Sequence, residues 1–153
     1  MNGEISLLAE DLRIGNWIHS EGKNYKVLAI DPLNVYQDCK GTIQIETAKH
    51  DIVGRWLHRC SPILLTPEIL EKAGFEQNGF KAWDISINPH KGGHKVLSFS
   101  GDYLYIKEGS NIFAAKDDDI VCLWNKDLMK VFYLHQLQNL YFALCGTELK
   151  IEM

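Results

Sequence analysis

Residues 13–29, RIGNWIHSEGKNYKVLA, decide the fold class of the first part of this chain. The dipeptide Glu21-Gly22 divides the stretch into two halves, and in each half apolar residues alternate with polar ones. The apolar positions of this alternation are Ile14, Ile18, Tyr25, Val27 and Ala29. A period of two on both sides of a turn is typical of a β-hairpin. We therefore expect two antiparallel strands here.

Further strands are predicted after this hairpin, at residues 34–36, 42–46 and 52–57. Within the second of them, Ile43 and Ile45 share one face. Short strands around glycine turns favour an SH3-like small barrel or a curled sheet over about residues 12–60. The alternative is that these strands belong to one larger sheet.

The segment LLTPEILEKAGF, residues 64–75, is typical of a short helix. Thr66 is a good N-cap residue, Pro67 suits the first helical position, and Gly74 suits the position just past the end. A helix is therefore predicted between Thr66 and Gly74. Its core-facing residues are expected to be Ile69, Leu70 and Ala73.

The remainder of the chain returns to strands and ends in a helix. Predicted strands lie at residues 82–87, 95–99, 103–107, 111–115, 120–124 and 130–134. Turn-like segments separate them, so consecutive antiparallel pairing, a meander, is the simplest topology. In the closing segment LHQLQNLYFALCG, apolar residues recur at helical spacing before Gly146, which predicts an amphipathic helix. The apolar stripe consists of Leu134, Leu137, Leu140, Tyr141 and Leu144.

The expected fold class is α+β: a mostly antiparallel β-sheet with an N-terminal SH3-like small barrel or curled sheet, a short central helix and a C-terminal helix. Residues 1–62 form the β-rich part in this prediction, and residues 63–153 supply the central helix, the meander and the closing helix. No linker-like composition separates the two parts, so they are expected to form one compact unit.

Composition places the chain among ordinary globular proteins. Its 153 residues are 46% hydrophobic and 24% charged, and a chain of this length buries enough surface to fold without disulfides or a structural metal. No apolar run approaches the roughly 18 residues of a transmembrane helix, so no membrane partner is expected. The formal charge of −4 disfavours long nucleic acid as a partner, because such binding depends on many basic contacts. A homo-oligomer is compatible with the sequence.

The four cysteines are widely spaced and form no CxxC pair, and the N-terminus lacks the pattern of a secretory signal. A cytoplasmic protein with reduced thiols is therefore expected. Small buried residues are the expected role of Cys39, Cys60, Cys122 and Cys145.

Three segments together carry a family resemblance: LRIGNWI at residues 12–18, PILLTPEILEKAGF at residues 62–75, and LHQLQNLYFALCGTEL at residues 134–149. They resemble an uncharacterised family of small phage and mobile-element proteins from gut anaerobes, in which a RIGNWV start, a P-x-x-LT-x-E-x-L helix and a VHQLQNLYFALTG helix follow in this order. Leu134 stands where the family usually has Val, and Cys145 where it usually has Thr. The resemblance implies a shared architecture and a mobile-element setting. It implies no activity, ligand or cofactor.

The HQLQN segment is the most specific motif in the chain. Its polar residues fall outside the apolar stripe of the closing helix, so their imidazole and amide groups could face a partner or ligand. These residues are His135, Gln136, Gln138 and Asn139. The alternative, which we favour, is that they satisfy polar groups within the fold.

A local basic cluster with one aromatic ring is the first candidate ligand site. It comprises Arg55, Trp56, His58 and Arg59, with Lys49 and His50 just upstream. Arginine can bind a phosphate through two hydrogen bonds, and a tryptophan face can stack on a base. If residues 52–58 form a strand, Arg55 and Leu57 lie on one face, and Trp56 and His58 on the other. The alternative is a core tryptophan flanked by solvated arginines.

The loop NPHKGGHK, residues 88–95, is the second candidate ligand site. Paired glycines let backbone N–H groups converge on an anion, and lysines add positive charge. The candidate residues are His90, Lys91, Gly92, Gly93, His94 and Lys95. The alternative is a hairpin loop with solvated charges. The two histidines lack a helix and a third ligand, and residues 117–119 (DDD) lack calcium-loop spacing, so no metal or cofactor is expected.

An enzyme is not expected, because the sequence carries none of the common nucleotide-hydrolase, serine-hydrolase or metalloprotease motifs. The closest pairing of a nucleophile with a base is His58-x-Cys60. The leading hypothesis is a non-enzymatic binding protein of a phage or mobile element. It would capture a small phosphorylated or nucleotide ligand, such as a host immune signal, between the Trp56 region and residues 91–93, in an anti-defence role. The alternatives are an adaptor that binds a host or phage protein and a weak nucleic-acid-binding small-barrel protein.

Overall fold

The structure, a computed structural model, describes residues 7–31, 41–79, 81–87, 95–100, 103–108 and 129–153. The chain divides into two compact units. The first comprises Met1–Leu65, Tyr133–Leu140 and Met153, and the second comprises Thr66–Phe132 and Tyr141–Glu152. The first half of the closing helix therefore belongs to the first unit, whereas the sequence suggested a division near residue 62 with the whole helix in the second part.

The first unit contains a five-stranded antiparallel sheet with the strand order β4-β3-β2-β1-β5. A 3-10 turn at Ala9–Asp11 precedes the first strand, and another at Leu57–Arg59 joins the last two strands. The strands are β1 (Trp17–Ser20), β2 (Lys23–Asp31), β3 (Thr42–Glu46), β4 (Ile52–Trp56) and β5 (Cys60–Ser61).

The predicted hairpin is present, since β1 and β2 pair antiparallel. Glu21 and Gly22 between them both have positive φ angles, 49° and 79°, as a two-residue type I′ turn requires. The prediction is wrong for Ile14, which lies in a turn before β1 and is 61% exposed. That turn forms because the side chain of Asn16 accepts a backbone N–H three residues upstream, and β1 starts only at Trp17.

A β-bulge in β2 changes which residues reach the core. Val27 pairs with Ile45, but the next pair is Ala29 with Gln44, so one extra residue stands in β2. The bulge reverses the alternation, and Ile30 rather than Ala29 packs against the core. The predicted face of β2 is therefore wrong beyond Val27.

The first sheet is curled. Its edge strands β4 and β5 lie at opposite ends of the strand order, yet only Leu57–Arg59 separates them in the chain. The four-residue step from Trp56 to Cys60 spans at most about 14 Å, so the two edges approach one another at this point. An ion pair between Arg55 in β4 and Glu21 in the β1–β2 turn, at 3.2 Å, fits this curvature. Closure into an SH3-like barrel stays a prediction.

The core of the first unit is apolar and comes mainly from the inner face of this sheet. Ile43 and Ile45 share that face, as predicted, and both are buried. The buried cluster consists of Leu7, Leu12, Ile18, Val27, Ile43, Ile45, Leu57 and Cys60.

The central helix of the second unit, α1 (Pro67–Lys72), has the predicted ends. The Thr66 side chain accepts the backbone N–H of Ile69 at 3.4 Å, and Gly74 just past the end has a φ of 86°. Ile69, Leu70 and Ala73 are all buried, as predicted.

The second unit also contains a five-stranded antiparallel sheet, in the order β10-β9-β8-β7-β6. Its strands are β6 (Glu76–Gln77), β7 (Trp83–Ile87), β8 (Lys95–Ser100), β9 (Tyr103–Glu108) and β10 (Met129–Lys130). The predicted consecutive pairing is confirmed from β7 to β9. The predicted strands at residues 34–36, 111–115 and 120–124 lie outside the described residues.

The predicted strand at residues 130–134 is wrong in extent. The strand β10 ends at Lys130, and after three intervening residues the closing helix α2 (Leu134–Cys145) begins. The helix starts here because the Gln136 side chain accepts the backbone N–H of Tyr133 at 3.2 Å, which satisfies one free donor of the first turn.

The burial of α2 also differs from the predicted stripe. Leu134 and Leu137 are buried as expected, but the remaining stripe residues are only half-buried. His135 and Gln138 are buried instead. The fold class, α+β with mostly antiparallel sheets, is nevertheless confirmed. Among the described residues, no helix is long and apolar enough to cross a bilayer.

Candidate functional site

The HQLQN motif of α2 binds the RIGNW segment that precedes and begins β1. The Gln138 Oε1 atom accepts the backbone N–H of Trp17 at 2.9 Å, and its Nε2 donates to the carbonyl of Gly15 at 3.1 Å. Gln138 is buried, so these two bonds satisfy polar groups that would otherwise be left without water. Buried polar pairing explains why Gln138, off the apolar stripe, faces inward.

Asn139 extends the same contact. Its Nδ2 donates to the carbonyl of Asp11 at 2.9 Å, and its Oδ1 accepts from the side chain of Asn16 at 3.0 Å. Asn16 is itself buried and also accepts the backbone N–H of Arg13 at 2.7 Å. Residues about 125 positions apart are therefore joined by a small amide network.

His135 is 4% exposed, and its ring stacks on Tyr133 with 5.9 Å between the ring centroids. The Nδ1 atom is buried without a hydrogen-bond partner. Burial lowers the pKa of His135, and the nearby Asp11 carboxylate opposes this shift more weakly. The Gln136 amide caps the helix start, as described above. These contacts support the interpretation that the polar residues of the motif satisfy polar groups within the fold.

The basic cluster divides between the two faces of the first sheet. Arg55 lies directly opposite Ile43, so it continues the inner face, and its guanidinium donates to Glu21 at 3.2 Å and to the carbonyl of Gly54 at 3.4 Å. Trp56 lies on the outer face. The positive charge of Arg55 is therefore largely compensated within the chain by Glu21.

His58 and Arg59 lie beyond the end of β4. The sequence allowed residues 52–58 to form one strand, but Leu57–Arg59 is a 3-10 turn because the buried Leu57 turns into the core. The His58 ring still meets Trp56, with 6.5 Å between nearly parallel ring centroids. His58 and Arg59 are both exposed.

Lys49 and His50 are separate from this cluster, in the turn at the opposite end of the β3–β4 hairpin. His50 bonds to Glu46 at 2.7 Å there. The predicted loop residues His90, Lys91, Gly92, Gly93 and His94 lie outside the described residues, as do residues 117–119. Lys95 begins β8 and pairs with Ile87 and Glu108 in the backbone register.

The Cys60 thiol is not arranged as a nucleophile. Cys60 is buried and donates to the carbonyl of Trp56 at 3.4 Å, and burial raises the pKa of its thiol. A raised pKa keeps the unreactive protonated form. His58 is exposed on the 3-10 turn, so the two side chains do not share a face as a continuous strand would require. Cys145 is also buried, while Cys39 and Cys122 are not described.

A pocket of about 370 Å³ lies against β2, β3 and β4. Directly opposite residues of paired strands share a face, and Ile43 points into the core, so the neighbouring rows point outward. One outward row across the three strands is Asp31, Thr42 and Trp56, and the next is Ala29, Gln44 and Gly54. All six residues line the pocket, and Ile30, Ile43 and Arg55 of the row between them complete its lining. We call this the outer-face pocket.

The sequence indicated Trp56 and Arg55 but missed the rest of the outer-face pocket. Asp31 and Ala29 reach it only because of the bulge in β2, and Gly54 contributes by having no side chain. Strand pairing that joins three separate segments has no local sequence pattern. In the parts of the chain that the structure describes, no three His, Cys, Asp or Glu residues form a group that could hold a metal ion.

In comparisons with known proteins, no family model matches this chain, and no curated protein or solved structure matches it.

Proposed function

We propose that this chain is a non-enzymatic binding protein that captures a small nucleotide ligand in the outer-face pocket, in the phage or mobile-element setting that its motifs suggest. A host immune signal is the ligand of that class to be tested first. The base of the nucleotide enters the pocket, and its phosphates remain outside.

The observation that carries this proposal is the position of Trp56. Its indole is half-buried at the wall of a pocket of about 370 Å³, which lies within the usual range of small-molecule sites. Ala29 and Gly54 in the adjacent row are small, and an added Cβ at Gly54 would meet no atom within 4 Å. The indole therefore has open space beside it. Stacking of a base on such a ring contributes about 1–3 kcal/mol.

Charge determines which end of the ligand enters. Asp31 is a pocket residue, and the guanidinium of Arg55 is already paired with Glu21. A phosphate inside the pocket would meet the Asp31 carboxylate, and Arg55, which also lines the pocket, already shares its charge with Glu21. Entry of a phosphate is therefore disfavoured. Arg59 is exposed and lies three residues after Trp56 in the chain, so it supplies positive charge to phosphates outside the pocket.

The buried Cys60 supports capture rather than turnover. The thiol is the nucleophile nearest to Trp56 in sequence, and its burial and raised pKa withhold it from a ligand. A bound nucleotide would therefore be released from the protein without chemical change.

The test is isothermal titration calorimetry with a panel of mononucleotides and cyclic dinucleotides, together with mass spectrometry of ligands released from freshly purified protein. Binding should weaken roughly fivefold or more when Trp56 is replaced by Ala, because the stacking surface is lost. Trp83→Ala, in β7 of the second unit, is the matched control and should leave affinity unchanged. The proposal fails if neither method detects a nucleotide.

A protein-interaction adaptor is the second candidate, and an exposed sheet edge favours it. The strand β4 is an edge strand, and its first residue, Ile52, is 64% exposed. An exposed apolar edge can pair with a strand of another protein. An adaptor should recover one protein in stoichiometric amount in a pull-down, and Ile52→Lys should abolish that recovery. Loss of nucleotide binding with retained pull-down would favour this function.

A further inference from the structure

A glycine in the middle of strand β4 points to the class of base that the outer-face pocket selects. We propose that the pocket is selective for purines: the base stands over Gly54, stacks on Trp56 and bonds through its edge to the Gln44 amide. Gly54 is the specificity-determining residue of this arrangement, because its missing side chain keeps that position open. This inference rests on the proposed function and names the ligand class of the same site.

Neither backbone geometry nor packing requires a glycine at this position. Gly54 lies inside a strand whose register with β3 is regular, and it is not among the glycines with positive φ. A Cβ added there would meet no atom of the described residues within 4 Å. Glycine weakens a strand, and it is common where a ligand or another backbone approaches closely. An occupant of the space over Gly54 therefore accounts for its presence.

The strand places the indole of Trp56 beside this open position. Gly54 and Trp56 are two residues apart in β4, so they face the same side at a distance of about 6.6 Å along the strand. That distance leaves room for one aromatic ring against the indole. The His58 ring meets Trp56 but does not line the pocket. The pocket side of the indole is thus left for the base.

Gln44 supplies hydrogen bonds to the edge of the base. It lies directly opposite Gly54, is exposed and lines the pocket, so its Cβ is about 5 Å from the position over Gly54. A side-chain amide presents a donor beside an acceptor. Adenine and guanine each present a donor beside an acceptor on the Watson–Crick edge, and rotation of the amide matches either order. Gln44 therefore binds both purines without discriminating between them.

The size of the stacking surface separates purines from pyrimidines. The two fused rings of a purine cover both rings of the indole, whereas a pyrimidine covers only one. Cytosine and uracil can pair with the Gln44 amide as well as purines do, so the hydrogen bonds give them no disadvantage. Because stacking on Trp56 supplies most of the affinity for the base, the larger ring system binds more tightly.

The charged residues of the pocket take no part in binding the base. The guanidinium of Arg55 bonds to Glu21 and to the carbonyl of Gly54, and its Nε atom is buried. Arg55 lines the pocket, and its bond to the Gly54 carbonyl supports the backbone over which the base stands. Asp31 already interacts within the protein, so the proposed contacts make no use of its carboxylate.

The first test compares AMP, GMP, CMP, UMP and ribose 5-phosphate by calorimetry on the unaltered protein. AMP and GMP should bind within about threefold of each other and at least about threefold more tightly than CMP and UMP, because the stacking areas differ. Ribose 5-phosphate lacks a base and should not bind measurably. Pyrimidine nucleotides that bind as tightly as AMP, or a larger difference between AMP and GMP, would overturn purine selection and leave the proposed function standing. Absence of binding by every nucleotide, or equal binding of ribose 5-phosphate, would overturn both.

The second test fills the proposed position of the base. Gly54→Val should weaken AMP binding at least about tenfold, since the branched side chain excludes a ring from the indole. Its urea midpoint should stay the same or rise, because valine favours strands and the new Cβ enters open space. Gly79→Val makes the same change at an open position outside the pocket and should leave AMP affinity unaltered. AMP binding retained by Gly54→Val would overturn the role of Gly54, and the nucleotide series tests purine selection without any variant having to fold.

Discussion

Replacement of Gln138 by Met tests whether the amide network, rather than apolar packing alone, joins the closing helix to the RIGNW segment. The methionine side chain has a similar size and flexibility, so little cavity energy contributes. The variant loses the bonds to the backbone N–H of Trp17 and to the carbonyl of Gly15. A buried polar group without a partner costs about 1–3 kcal/mol, so the two groups together predict a loss of about 2–6 kcal/mol in the free energy of unfolding.

Urea unfolding followed by circular dichroism measures this loss. With a typical slope of about 1–3 kcal/mol per molar urea, the midpoint should fall by roughly 1 M or more. Gln136→Met is the matched control, because Gln136 lies in the same helix, is half-buried and accepts the Tyr133 N–H at the start of the helix. Its expected cost is about 1 kcal/mol, that of a lost cap. If Gln138→Met costs no more than Gln136→Met, the buried network does not stabilise the unit as argued.

Three further predictions concern stability. The lowered pKa of His135 keeps the ring neutral in the folded protein, while the unfolded chain binds a proton near pH 6.5, so stability should fall as the pH drops below about 6.5; urea midpoints measured from pH 7.5 to 5 should show this fall, and His135→Phe should reduce it. Gly74→Ala should cost about 1 kcal/mol because of the φ of 86° rather than a clash, since the new Cβ would lie 3.7 Å from Ile85; a thermal melt unchanged from that of the parent protein would contradict this. Ile18→Ala should cost about 2–5 kcal/mol, while Ile14→Ser should change stability by less than about 0.5 kcal/mol because Ile14 is exposed; comparable losses in urea unfolding would refute the assignment of the β1 boundary.

Local features of the fold were predictable from the sequence. The turn at Glu21-Gly22 and the ends of α1 at Thr66 and Gly74 depend on φ preference and capping within a few residues, and all three are present. The closing helix was likewise predictable from its spacing of apolar residues. Its buried side was not, because Gln138 faces inward to bond a segment some 120 residues away.

The candidate site was only partly predictable. Trp56 stood out as an aromatic residue in a basic cluster, and strand alternation predicted that Arg55 lies on the opposite face, as the strand register shows; the pairing of Arg55 with Glu21 had no local sequence pattern. Asp31 carried no local pattern at all. Its position beside the pocket depends on the bulge in β2 and on the register of two strand pairs.

The sequence by itself determined the short-range structure of this protein, namely its turns, helix caps and fold class, since each depends on the conformational preferences of neighbouring residues. It also indicated Trp56 as a candidate binding residue. Only the tertiary structure decided which side chains share a surface. Register, bulge and curvature are set by the simultaneous burial of apolar faces and pairing of polar groups from distant segments. For that reason Asp31, Thr42 and Trp56, from three separate strands, form one row of the outer-face pocket.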